Sequence, residues 1–178
     1  AISFSDNGTF DASSKYNMGS STATVYKADG TTTTFDANTR PSSEDYATVP
    51  EGIYHATVGK HKGNYIALKM RDVDATSQTI ELGQANPAHP ERAYATGINI
   101  HKPGLNNLTG LTSSGTAISQ GCLLIDRNSW SDFIGIFNID AQRSNTVSVT
   151  LSRTYSRPIN HNSQNGFYTV MPYSPFRW

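Results

Sequence analysis

One cysteine, Cys122, stands in the stretch Ser119-Gln120-Gly121-Cys122-Leu123-Leu124-Ile125, and a histidine, His101, stands 21 positions upstream at the end of Ile98-Asn99-Ile100-His101. A free thiol titrates at roughly 8.5 and is mostly protonated at neutral pH, so a nucleophilic cysteine needs a base. A histidine presented from another strand is the usual partner. Residue statistics alone bury a single cysteine as a small apolar side chain; the setting of Cys122 argues for more. Gly121 permits a sharp turn, and the backbone N–H groups of Gly121 and Cys122 are placed to hold the oxygen of a tetrahedral intermediate. One such donor stabilises a transition state by about 2.7–4 kcal/mol. Ser119 is suited to shaping the turn by a local hydrogen bond. Alternation along a strand puts Asn99 on the face of His101, as a candidate to orient the imidazole or to touch substrate. The chemistry in this pattern is nucleophilic catalysis, with Cys122 and His101 as the catalytic pair.

The other histidines do not extend the site. His55 and His61 fall in a predicted hairpin, and His89 and His161 in loops. None has the i, i+4 spacing of a helical metal pair, and no carboxylates complete a ligand set, so neither a metal nor another cofactor is expected. Glycine loops of the phosphate-binding kind are absent as well.

The elements that must position Cys122 and His101 are mostly strands. Asp29-Gly30 between β-prone runs predicts a hairpin of residues 23–27 and 31–35 around a tight primed turn. Ile53 to Val58 and Tyr65 to Met70 predict a second hairpin with Gly59 to Asn64 as its polar turn. Tyr94 to His101 reads as one loosely alternating strand, Thr79 to Leu82 as a short one, and Val147, Val149 and Leu151 as a half-buried one. Phe167 to Met171 is a candidate last strand. The run Cys122 to Ile125 is too short to choose between strand and buried turn. Trp130, Phe133, Ile134 and Phe137 recur at i, i+3, i+4 and i+7, which predicts one helix capped by Asp126 or Asn128. Residues 1–20, with Phe4 and Phe10 as anchors, are expected to form an edge strand or an N-terminal arm. Residues 102–118 form a long Gly/Ser/Thr-rich connection, a length that is usually functional in a compact domain.

At 178 residues, with no linker or internal repeat, the chain is expected to be a single domain spanning 1–178. Lys+Arg and Asp+Glu are each 14, a balance that argues against nucleic acid or an anionic membrane as partner. No apolar run reaches the roughly 18 residues of a membrane span. A single cysteine excludes internal disulfides. The chain begins at Ala1 rather than Met, which reads as a processed or trimmed product with any signal peptide already gone, and it is expected to be a monomer.

Residues 98–125 resemble the catalytic segment of the L,D-transpeptidases, the YkuD-like cysteine enzymes of bacterial peptidoglycan. That segment runs from a His through about 14–17 residues to a Ser or Thr, then one residue, Gly, Cys and a hydrophobe; here residues 102–118, 17 in number, separate His101 from Ser119. Val49-Pro50-Glu51-Gly52-Ile53-Tyr54 is similar to the family's Pro-x-Gly-x-aromatic turn, so the likeness covers roughly residues 49–137. Two positions depart from the pattern: Gln120 stands where many members have His, and Leu124 where many have Arg or Asn. The resemblance implies a mainly β, sandwich- or barrel-like catalytic domain with one helix after the cysteine. It also implies that Cys122, with His101 as base, attacks the bond before the D-Ala of a peptidoglycan stem tetrapeptide. An amine (transpeptidation) or water (carboxypeptidation) would resolve the thioester, and the protein would be secreted and act in the cell envelope, periplasmic or extracellular. Gln120, Lys102 and Arg92 are candidate substrate contacts. The competing readings are a non-catalytic wall- or surface-binding module of the same fold and a cysteine peptidase cutting L,L bonds.

Overall fold

The computed structural model describes residues 1–7, 21–41, 46–82, 91–103, 119, 121–140 and 146–154. Eight strands close into a barrel in the order β1 (Ile2–Asp6), β10 (Val147–Arg153), β4 (Gly52–His61), β5 (Tyr65–Asp72), β8 (Asn99–His101), β9 (Leu123–Ile125), β3 (Thr32–Asn38) and β2 (Ser21–Tyr26), which pairs back onto β1. β6 (Thr79–Glu81) and β7 (Tyr94–Thr96) form a separate two-stranded sheet. A short 3-10 turn, Arg127–Ser129, leads into the one α-helix among the described residues, α1 (Trp130–Asp140).

Alternation in the strands becomes the inside and outside of the barrel. Ile2 and Phe4 of β1, Ala23 and Val25 of β2, Ala56 of β4, Leu68 and Met70 of β5 and Val149 and Leu151 of β10 are buried in one core. The helix stripe joins that core as expected: Trp130, Phe133, Ile134 and Phe137 are all buried. Phe133 meets Phe35 of β3 edge-on at 5.3 Å, and Trp130 meets Tyr65 of β5 at 6.0 Å. Asp126 caps the entry, its carboxylate accepting from Asn128 N–H. Asp6 is buried between two cations, Arg40 at 3.5 Å and Arg153 at 3.6 Å, and accepts from Thr39 Oγ1 at 2.7 Å. These contacts tie β1 and β10 to the chain that leaves β3.

Several sequence expectations are corrected. β1 is not an edge strand or a loose arm; it pairs with β10 on one side and β2 on the other, which its two buried anchors, Ile2 and Phe4, require. The Asp29-Gly30 hairpin forms, but its turn is not primed. Gly30 alone has positive φ (84°), its N–H bonds Lys27 O, and the Asp29 carboxylate instead accepts from Thr31 N–H and Oγ1. In the second hairpin the tight turn is at Lys62-Gly63, with φ of 47° and 71°, so Gly59, Lys60 and His61 belong to β4. The segment 94–101 breaks at Gly97 (φ 71°) into β7 and β8, which lie in different sheets. Cys122 to Ile125 resolves as the turn before β9 and β9 itself. Phe10, most of the 102–118 connection and Phe167 to Met171 lie outside the described residues.

Candidate active site

β8 and β9 run parallel, with Ile100 opposite Leu123 and His101 opposite Leu124. Parallel neighbours need a crossover of a dozen or more residues, and the segment from Lys102 to Cys122 supplies it. The pairing sets Cys122, one residue before β9, beside Asn99 at the start of β8. Asn99 N–H points at Cys122 Sγ from 3.4 Å, and the thiol reaches Gly97 O at 3.8 Å. Cys122 is half-buried and, with His101, lines a cavity of about 790 Å³. His61, Lys62, Arg92, Tyr94, Gly97 and Asn99 line it too.

The tautomer of His101 follows from its partners. Nδ1 lies 2.7 Å from Lys102 O, an acceptor only, so Nδ1 carries the proton and Nε2 keeps the lone pair. Tyr65 Oη sits 3.3 Å from the same nitrogen and donates to Lys102 O at 3.4 Å. Trp130 of α1 braces the Tyr65 ring, and Lys102 Nζ lies 4.7 Å above its centre. Lys102, expected as a substrate contact, is thus engaged with Tyr65 and is not among the cavity-lining residues.

The resemblance did not bring out a second histidine. The His61 ring stacks on His101 with centres 4.1 Å apart and planes 19° apart. Its tautomer is fixed by a chain of amides. Gln78 Nε2 donates to Ile98 O and to Asn99 Oδ1, each at 2.8 Å, so Asn99 Nδ2 is the group that donates to His61 Nδ1 at 2.9 Å. His61 therefore carries its proton on Nε2. Asn99 shares the face of His101 as expected, but its side chain orients His61, not His101, whose Nδ1 is already held by Lys102 O. The sequence signal for His61 was the Lys62-Gly63 pair, whose positive φ angles move the turn past His61 and carry β4 into the site.

Burial sets the electrostatics. It pushes the Cys122 thiol above its ordinary value, against the opposing pull of Asn99 N–H and the Lys62 charge. Burial and the neighbouring His61 push His101 down to about 4, with Lys102 O opposing them. His61 is lowered too, mainly by burial. With the thiol held above its ordinary value and the imidazole down near 4, the neutral pair is favoured over a thiolate–imidazolium pair. At neutral pH both groups rest uncharged.

This has a consequence for stability. His101 titrates near 4 when folded and near 6.5 when unfolded, so between these values the unfolded chain holds a proton that the folded chain refuses. Stability is full above pH 6.5 and falls as pH drops towards 4, by about 3 kcal/mol from this residue alone. Urea unfolding at both pH values checks it: the difference is expected to shrink by about that amount in His101→Gln.

Gly121 has φ of 120°, and a Cβ there would stand 2.7 Å from Ala47 O and 3.3 Å from Ile98 Cδ1. Only glycine fits this turn. Ser119 is buried and donates its hydroxyl to Cys122 O at 2.8 Å, which is the turn-shaping role. That hydroxyl is committed and is not an oxyanion donor. Gly121→Ala is expected to cost on the order of 2–4 kcal/mol in urea unfolding, because both the backbone and its neighbour must shift. Gln120 lies outside the described residues.

Among the described residues no group of three or more His, Cys, Asp or Glu side chains is arranged to hold a metal ion. No helix among them is long and apolar enough to cross a membrane. Comparison with protein-family models, curated proteins and solved structures gives no match.

Proposed function

We propose that the chain is a cysteine acyltransferase of the L,D-transpeptidase kind, acting on peptidoglycan stem peptides as transpeptidase, carboxypeptidase or both. The observation that carries this reading is the parallel pairing of β8 with β9. The cysteine of the Ser-x-Gly-Cys turn and the upstream histidine both line one cavity, and the histidine's Nδ1–H is committed to a carbonyl, which leaves Nε2 free to act as base in this reading. The closed barrel with a helix after the cysteine is compatible with the fold the resemblance implies.

In this reading Cys122 Sγ attacks the carbonyl carbon of the third stem residue while its proton moves to His101 Nε2. Because the neutral pair is the resting form, proton transfer accompanies attack and does not precede it. The carbonyl oxygen becomes an oxyanion held by N–H groups of the Gly121-Cys122 turn. The C–N bond then breaks, and D-Ala leaves with the proton from His101. An amine or water next attacks the thioester, giving up a proton to His101 and restoring the thiol. The experiment is incubation with a disaccharide-tetrapeptide, following D-Ala release and exchange in the wild type and in Cys122→Ala.

A binding module that keeps the fold is the reading favoured by one observation, the wide separation of the thiol and imidazole pKa values. Under that reading the wild type releases no D-Ala and binds muropeptides equally well with Ala at position 122.

A further inference from the structure

The cavity around Cys122 is lined by two cations, Lys62 and Arg92, and by no Asp or Glu among its described lining residues. Lys62 sits at the tip of the β4–β5 turn, held there by its own positive φ of 47° and that of Gly63. It follows His61 in the chain, and the His61 ring stacks on His101. Its charge acts on all three titratable groups of the site, lowering the pKa of His61, His101 and Cys122 alike. Lys62 makes no ion pair among the described residues. Among the described residues Arg92 pairs with Glu91, at 3.9 Å, with both side chains more than half exposed. Such a pair contributes little and exchanges easily.

Two other candidate positions offer the cavity no charge. Leu124 is fully buried in β9, so the second position after the cysteine offers no charge to the cavity. Lys102 lies over the Tyr65 ring. The cavity volume, about 790 Å³, is in the range that takes a ligand of several residues or a drug-sized molecule. The first turn of α1 does not line it, so the helix-end N–H donors typical of a phosphate site are missing. Two exposed cations on a peptide-sized cavity suit a carboxylate.

We propose that Lys62, assisted by Arg92, forms a carboxylate subsite beside Cys122, which takes the free carboxylate of the amino acid that leaves when the thioester forms. The identity of that leaving group rests on the reading above; the subsite itself does not. Attraction of this kind raises association rates and weakens as salt screens it.

Alkylation of the native chain by iodoacetate and by iodoacetamide tests the subsite without peptidoglycan. In both reactions the sulfur–carbon bond forms, iodide leaves and the thiol proton goes to solvent, but only iodoacetate carries a carboxylate. Their rate ratio cancels any change in the thiol itself. The ratio is expected to be about tenfold higher in the wild type than in Lys62→Gln/Arg92→Gln at low salt, and to fall towards the variant's value at about 0.5 M salt. N-acetyl-D-alanine is expected to slow iodoacetate, and its carboxamide is not. Both residues are exposed, and far-UV circular dichroism verifies that the variant folds. A ratio unchanged by the substitutions, or equal protection by acid and amide, overturns the subsite. If the ratio responds as expected but the wild type releases no D-Ala, the peptidoglycan reading falls and the subsite stands. If D-Ala is released but the ratio does not respond, the subsite alone falls.

Discussion

Cys122→Ala is expected to abolish D-Ala release from a disaccharide-tetrapeptide, a loss of at least about 10⁴-fold, because no acyl intermediate forms. The substitution leaves Asn99 N–H without its sulfur partner, a cost of about 1 kcal/mol, which an eight-stranded barrel tolerates. Lost activity would therefore not reflect lost fold, and urea unfolding of the variant checks this. Cys122→Ser is expected to fail nearly as badly. Its hydroxyl is a far weaker acid than a thiol, and a histidine that titrates near 4 is too weak a base to activate it.

His101→Ala is expected to lower kcat by about 10²–10⁴-fold, the range of a positioned general base. Combined with Cys122→Ala it should add no further loss, since the two groups act as one unit. The neutral resting pair gives this prediction two unusual features. The acid limb of the wild-type kcat/KM profile should fall near pH 4, because His101 acts only when unprotonated and its folded pKa lies there. Iodoacetamide should alkylate Cys122 along a rising curve centred above the ordinary thiol value, with no plateau at mildly acidic pH. His101→Ala should change that curve little. In a site built on a resting ion pair, the same substitution would remove the low-pH plateau.

How far these features were legible in the chain varies with the length of the pattern. Val147-x-Val149-x-Leu151 and the Trp130, Phe133, Ile134, Phe137 stripe span whole elements, and the barrel and its helix use them as written. β8 and β9 are three residues each, and their pairing is parallel and non-local; no period in so short a run announces it. The Cys122 and His101 positions were legible through their spacing and residue types. His61 was not, because Gly59 and Gly63 both read as turn glycines. Gly59 is in fact a strand residue covered by the aliphatic part of Lys69, whose Cδ would lie 2.8 Å from a Cβ at that position. Asn99 was placed on the right face, as a group to orient His101 or touch substrate; it orients His61 instead of His101, since Gln78, 21 residues away, decides which way its amide points, and it does line the cavity. Tyr65 was read only as the start of a strand, and its hydroxyl bond near His101 depends on a partner 36 residues away.

The central claim is that Cys122 carries an acyl group derived from a stem peptide. Mass spectrometry of the chain after mixing with a disaccharide-tetrapeptide tests it most directly, with released D-Ala measured in the same sample. The predicted result is a hydroxylamine-labile adduct on Cys122 with the mass of the tripeptide acyl group, and D-Ala release that Cys122→Ala lacks. A wild type whose native thiol reacts with iodoacetamide, yet which forms no adduct and releases no D-Ala, would contradict it.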